Sequence, residues 1–186
     1  MWMLLLLLGL LMPAAAVASP GALLNIAVDS AGAAHVRAVL ELSARPAVVH
    51  AVLTDYGHWP LLFPRGLRIV AISQEKDGVE TDVYVPRRFL PGEFHLVTRT
   101  RETVPGILET SLIGGDFLRY RRTWILTPGL TNDETRAELE MDIQLKQWIP
   151  GWLFTLVLNH ELLEHFGRLQ AEIARHLAER PSGNSK

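Results

Sequence analysis

The chain has 186 residues, 48% of them hydrophobic and 20% charged, with a net charge of -2 and no cysteine. That length suits one domain with a real core, or an enclosed cavity, built without staples. The near-neutral balance excludes the strongly basic face that nucleic-acid binding usually needs, and the missing cysteine excludes disulfides and a lipid-attachment cysteine.

Trp2 to Met12 is an apolar run, Pro13 ends it, and Ala16-Val17-Ala18 is a small-residue A-x-A site. Residues 1–18 therefore read as a secretory signal peptide cleaved after Ala18, with a periplasmic or secreted product. No Lys or Arg precedes the run, and the first basic side chain is Arg37. The alternative is an uncleaved membrane anchor, although the run is short against the ~20 apolar residues of a spanning helix.

Ala34 to Leu42 alternates, with Ala34, Val36, Ala38, Leu40 and Leu42 on one face, which predicts a half-buried strand. Pro46 suits a first helical position, so AVVHAVLTDY reads as a short helix. Gly57, Pro60 and Pro64 break the next stretch into a second short helix or turn. Strands are expected over Leu67 to Ser73 and, after a Lys76-Asp77-Gly78 turn, over Val79 to Val85. Pro86 to Gly92 reads as a loop with an apolar tip at Phe89-Leu90. Glu93 to Thr103 and Ile107 to Leu112 are strands on either side of a Pro105-Gly106 turn. Phe117 to Leu126 and Thr135 to Lys146 form one more hairpin.

Leu153 to Leu177 is the one long helix. Leu158, Leu162, Phe166, Leu169, Ile173 and Leu177 share a stripe, and Glu161/His165, Glu164/Arg168 and Arg168/Glu172 are i,i+4 pairs. The tail from 179 to 186 is expected to fray. A run of antiparallel strands with one apolar face must cover that face, and only this helix is long enough.

Between two strands lies Gly114-Gly115-Asp116-Phe117, close to the GGDEF signature of enzymes that cyclise guanine nucleotides. Phe117 stands in place of the Glu, and Arg and aromatic residues surround it instead of acids. A turn or bulge is the better reading. In the next strand, Leu118, Tyr120, Arg122, Trp124 and Leu126 take one face, and Arg119, Arg121 and Thr123 the other. Matching apolar faces sets Arg119 and Arg121 beside Glu138, Glu140 and Asp142 outside. Arg122 then points inward, where a cation must find an acid, carbonyls, water or a ligand.

AVLTDYGHWPLLFP, GDFLRYRRTWIL and the closing amphipathic helix together resemble the START-like helix-grip superfamily. The nearest flavour is the polyketide cyclase/dehydrase and coenzyme Q-binding group. The resemblance covers residues 33–178 and rests on order and pattern, with no single diagnostic motif. It implies an α+β fold: a curved antiparallel sheet wrapped round the last helix, with two short helices after the first strand. It also implies a hydrophobic cavity for lipids, quinones, sterols or polyketides. No universal catalytic set comes with it. Two departures stand out: the apparent export, and Arg122 where a small residue, often Gly, is common.

Other chemistry is weaker. HELLEH, His160 to His165, spaces its histidines five apart, about 140° round a helix, whereas a zinc HExxH needs four. His160 is expected on the apolar side of the helix as a core histidine. Asp55, Tyr56 and His58 read as turn and cap residues. Gln147 to Phe154 gathers Trp148, Trp152 and Phe154 where an entrance could touch a membrane surface.

These observations favour a monomeric binding protein for a lipid, isoprenoid or quinone, with no cofactor, metal or nucleic acid. Tyr120 and Arg122 would orient a polar head, and Tyr84, Trp124, Met141, Trp148, Trp152 and Phe166 would line or close the pocket. The alternative is a cyclase or dehydratase acting in the same cavity, with Tyr120, Tyr84, His95 or His160 as acid/base candidates.

Overall fold

A computed structural model describes residues 22–63, 65–87 and 91–179. The expected leader over 1–18, the Phe89-Leu90 tip and the tail from 180 lie outside the described residues. Eight strands form one antiparallel sheet: β1 (Leu23–Val28), β2 (Ala34–Leu42), β3 (Arg68–Glu75), β4 (Gly78–Pro86), β5 (Glu93–Val104), β6 (Ile107–Gly115), β7 (Phe117–Pro128) and β8 (Thr135–Leu145). Their spatial order is β1-β2-β8-β7-β6-β5-β4-β3. Helices α1 (Pro46–Thr54) and α2 (Trp59–Leu62) come after β2, separated by a 3-10 turn at Tyr56–His58, and α3 (Gly151–Glu179) closes the fold. This is the α+β helix-grip arrangement that the strand parities require.

The alternation of β2 is realised in full, with Val36, Ala38, Leu40 and Leu42 all buried. Pro46 starts α1, where its missing N–H costs no helical bond. Strand β1 is an element beyond those expected. It pairs with β2 from Leu23↔Val39 to Val28↔Ala34 and packs Leu24, Ile26 and Val28 against the core. Strand β3 holds the opposite edge, so Val70 and Ile72 stay exposed although their residue types suit a buried strand.

A bulge immediately precedes Gly114-Gly115-Asp116. Val97 and Thr98 of β5 face Gly114 and Leu112, which leaves Ile113 extra. Gly115 has φ +105°, and a Cβ there would lie 2.2 Å from the His95 carbonyl oxygen. Asp116 accepts the His95 N–H at 2.8 Å through its carboxylate, and its own N–H donates to the His95 carbonyl at 2.8 Å. The carboxylate therefore fastens two strands.

A second irregularity, between Phe117 and Arg119 in the β7–β8 register, corrects the parity of β7 at its start. Phe117 faces in and Leu118 is 59% exposed, the reverse of the expected pattern; from Tyr120 onward the parity is as read. The outer acids also choose other partners than Arg119 and Arg121. Arg37 lies 3.4 Å from Glu140, Arg136 lies 2.9 Å from Glu138, and His35 lies 2.6 Å from Asp142. Strand β2 flanks β8 on its far side and supplies Arg37 and His35, while Arg136 comes from β8 itself.

Helix α3 lies on the inner face and also meets α1, α2 and β1. Leu162, Phe166, Leu169 and Ile173 are buried along the expected stripe, and Phe166 meets the Trp124 ring edge-on at 6.4 Å. Leu177 is exposed, because the helix outruns the sheet. Its side-chain pairs include His160–Glu164 and the Glu172–Arg175–Glu179 cluster, while His165 bonds the Leu62 carbonyl. Among the described residues no helix is long and apolar enough to cross a membrane.

Candidate functional site

Between the sheet and α3 lies a cavity of about 210 Å³. It runs along β7 from Phe117 to Trp124 and along α3 from Phe154 to His165. Strands β4, β5 and β8 supply Val83, Leu96 and Met141, each inward by the two-residue period of its strand. Aromatic contacts order the Phe117 end, where Phe117 sits 5.7 Å from Phe94 and 5.9 Å from Tyr120. An apolar wall with few polar groups is the usual make-up of a small-molecule site.

Arg122 and His165 mark the Trp124 end of the wall, and Arg87 and Tyr120 lie toward Phe94 and Phe117. Arg122 reaches in from β7, with its guanidinium carbon 5.2 Å from the Trp59 ring centre. Its Nη2 donates a long bond of 3.4 Å to the Thr110 hydroxyl, which lies 2.9 Å from that of Thr100. Its Nε is buried without an acceptor, as is the indole Nε1 of Trp124. Among the described residues no carboxylate forms an ion pair with Arg122. A second void of about 10 Å³ opens beside these groups, bounded by Thr100, Arg122, Trp124 and His165.

His165 is the core histidine of α3. It is 7% exposed, and its Nδ1 lies 2.7 Å from the Leu62 carbonyl oxygen, to which it donates. Burial lowers its pKa from the ordinary 6.5 to about 4, against the opposing pull of that carbonyl, and the nearby Arg122 charge lowers it further. The ring is therefore neutral at pH 7, with Nε2 left as an acceptor. Tyr56 holds its phenol against Thr100 behind the same region, and burial raises its pKa.

Of the residues singled out in the sequence, Tyr120, Arg122, Trp124 and Met141 line the cavity. Phe166 stands behind Trp124 in the core. Tyr84 is a correction: it shares the outer parity of Glu80 and Asp82, stacks on His95 at 4.6 Å and lies under the Arg68 guanidinium at 4.2 Å. His95 is outside with it, 2.8 Å from Asp82. His160 is on the surface beside Glu164 at 3.1 Å, so the core and surface histidines of HELLEH are exchanged relative to expectation. Trp148 and Trp152 are 78% and 71% exposed and do not line the cavity; Trp152 is in the first turn of α3 and Trp148 precedes it. His58 pairs with Asp55 at 2.8 Å on the surface, a turn contact as read.

The cavity residues missed in the sequence include Trp59, Phe63, Arg87, Phe117, Glu161 and His165. A signal for His165 existed. It lies three positions after Leu162 and four before Leu169, which places it on the buried stripe. Trp59 gave no such signal, because its place depends on how α2 folds back, with its indole N–H donating to the Leu53 carbonyl at 3.0 Å.

A curved sheet gripping one helix round an apolar cavity defines a START-like, helix-grip protein. Residues 42–164 match the family described as "Polyketide cyclase / dehydrase and lipid transport", and the chain belongs to that family. A START superfamily protein from Mycobacterium smegmatis superposes with a TM-score of 0.61 at 18% identity, over 76% of this chain and 97% of that one. The Zhui aromatase/cyclase of a Streptomyces species superposes with a TM-score of 0.64 at 13% identity, over 82% and 99%. A conserved protein from Geobacillus kaustophilus gives 0.60 at 15% identity, over 76% and 95%. At these identities the likeness is one of fold. No curated protein matches the sequence.

Proposed function

We propose that the chain is an exported binding protein that holds a hydrophobic small molecule, such as a lipid, isoprenoid or quinone, between its sheet and α3. The observation that carries this reading is the cavity of about 210 Å³, largely apolar and with few polar groups on its wall. Arg122 and Tyr120 orient the polar part of the ligand, and Trp124 and Met141 pack its apolar body. Trp148 and Trp152, exposed at the start of α3, give that end of the molecule an affinity for a membrane surface, since Trp favours the interface. Export rests on the leader read at 1–18.

The test is to express the chain with its own leader, recover the exported form, and combine native mass spectrometry with solvent extraction. The expected result is a chain beginning at Ser19 that carries one apolar molecule. A chain that emerges empty and takes up no lipid or quinone overturns the binding reading, and a mass that includes Met1 overturns export.

A second reading, a cyclase or dehydratase acting in the same cavity, draws on one observation. His165 is a neutral imidazole, oriented by the Leu62 carbonyl, on a wall it shares with Tyr120. Such a group is suited to take a proton from a bound substrate. Turnover lost in His165→Gln or Tyr120→Phe, with binding retained, would decide for the enzyme.

A further inference from the structure

The Trp124 end of the cavity holds a charge that no carboxylate among the described residues balances. The Arg122 guanidinium borders both the main cavity and the small void beside it. Among the described residues its only hydrogen bond is the 3.4 Å contact to Thr110, a neutral hydroxyl. A cation taken out of water without a counter-charge is costly, and so is each buried donor without an acceptor. Two such donors occur here, Arg122 Nε–H and Trp124 Nε1–H, on side chains two residues apart on the inner face of β7.

A ligand group that relieves all of this has one negative charge and two acceptor oxygens. A carboxylate meets that description, with one oxygen for the guanidinium and one for the indole N–H. A phosphate monoester brings up to two charges and three oxygens, whereas His165 is kept neutral by its burial and adds no second cation at the Trp124 end. An alcohol, ester or quinone carbonyl would accept a hydrogen bond and leave the charge unbalanced. The rest of the wall, from Met141 and Leu145 to Phe94 and Phe117, is mostly apolar, with Arg87 over the Phe94 ring at 4.5 Å as the second cation on it.

We propose that the cargo is a monocarboxylate with an apolar body, its carboxylate held by Arg122 and Trp124 at the deep end of the cavity and its body lying toward Phe117. The proposal rests on the reading of this cavity as a ligand site, and goes beyond it by fixing the head group.

The experiment is a calorimetric titration of the purified, solvent-stripped full chain with dodecanoate, methyl dodecanoate, dodecanol and dodecyl phosphate. Wild type is compared with Arg122→Leu and, as a gentler change, Trp124→Phe, each checked for a cooperative melt. Dodecanoate is expected to bind about tenfold to a hundredfold more tightly than the ester or alcohol, as a charge-assisted contact implies. Arg122→Leu is expected to bring that ratio near one while the ester still binds, and Trp124→Phe to lower it severalfold. Equal binding of acid and ester in wild type, or a ratio that survives Arg122→Leu, overturns the carboxylate assignment and leaves the apolar site standing. Tighter binding of dodecyl phosphate than of dodecanoate overturns it in favour of a phosphate head. Binding of none of the four overturns the ligand-site reading itself, and this proposal with it.

Discussion

At His165 two local signals compete. The i,i+4 spacing from Glu161 suggests a solvated pair, while the distances to Leu162 and Leu169 suggest the core, and the core wins because the sheet and α2 cover that face of α3. The consequence is measurable. The folded pKa of about 4 lies below the ordinary 6.5, so the folded chain binds fewer protons than the unfolded one between those values. Stability from this group is full above pH 6.5 and falls as pH drops toward 4, by an amount on the order of 3 kcal/mol. Urea midpoints taken across that window should decline in wild type and decline less in His165→Gln. His35 acts with the opposite sign: its bonds to Asp142 and Asp29 raise its pKa, so its contribution is present at low pH and lost as pH rises. It stays in both proteins and cancels in the comparison. Parity also decides the fate of Tyr84. The alternation that turns Val83 inward turns Tyr84 outward, and that much was legible from β4 alone.

At the scale of elements, α3 carries two apolar groups of residues with different fates. Phe166 is 3% exposed and fills the space over Trp124, whereas Trp152 is 71% exposed. Phe166→Ala should therefore cost about 3–5 kcal/mol. Trp152→Ala should change stability by no more than about 0.5 kcal/mol, and chemical denaturation of the two variants is the check. A large loss from Trp152→Ala would mean that this ring packs on the fold in solution. Strand β7 shows what periodicity misses. A bulge shifts two residues, so Phe117 enters the cavity and Leu118 leaves it, while Arg122 and Trp124 beyond the irregularity keep the faces that simple alternation assigns. Register inside regular stretches is set by local sequence; the point at which it slips is set by the partner strand.

Over the whole molecule, the sheet begins earlier than the range 33–178 suggests. Strand β1 covers the open edge of β2, and Val28 lies 3.4 Å from where a Cβ on Gly151 would stand, at the start of α3. A chain starting at Ala33 should lose at least about 2 kcal/mol relative to one starting at Ser19. It should also aggregate through the uncovered edge. Denaturation and light scattering test both effects, and equal stability of the two chains would show that β1 is dispensable. By itself the sequence determined the architecture. Period-two apolar faces, turn residues at Gly78 and Gly106 and one long apolar stripe leave a helix gripped by an antiparallel sheet as the economical way to bury them all. Simple alternation also pointed Arg122 inward, but only the position of the bulge, between Phe117 and Arg119, decided that this parity holds. The tertiary structure decided which polar groups share a cavity. Trp59, Thr100, Arg122 and His165 come from four elements far apart in the chain, and their meeting depends on how α2 and α3 seat on the curved sheet. No local periodicity encodes that contact, so the unbalanced cation and its neutral histidine neighbour become visible only after the chain has closed round them.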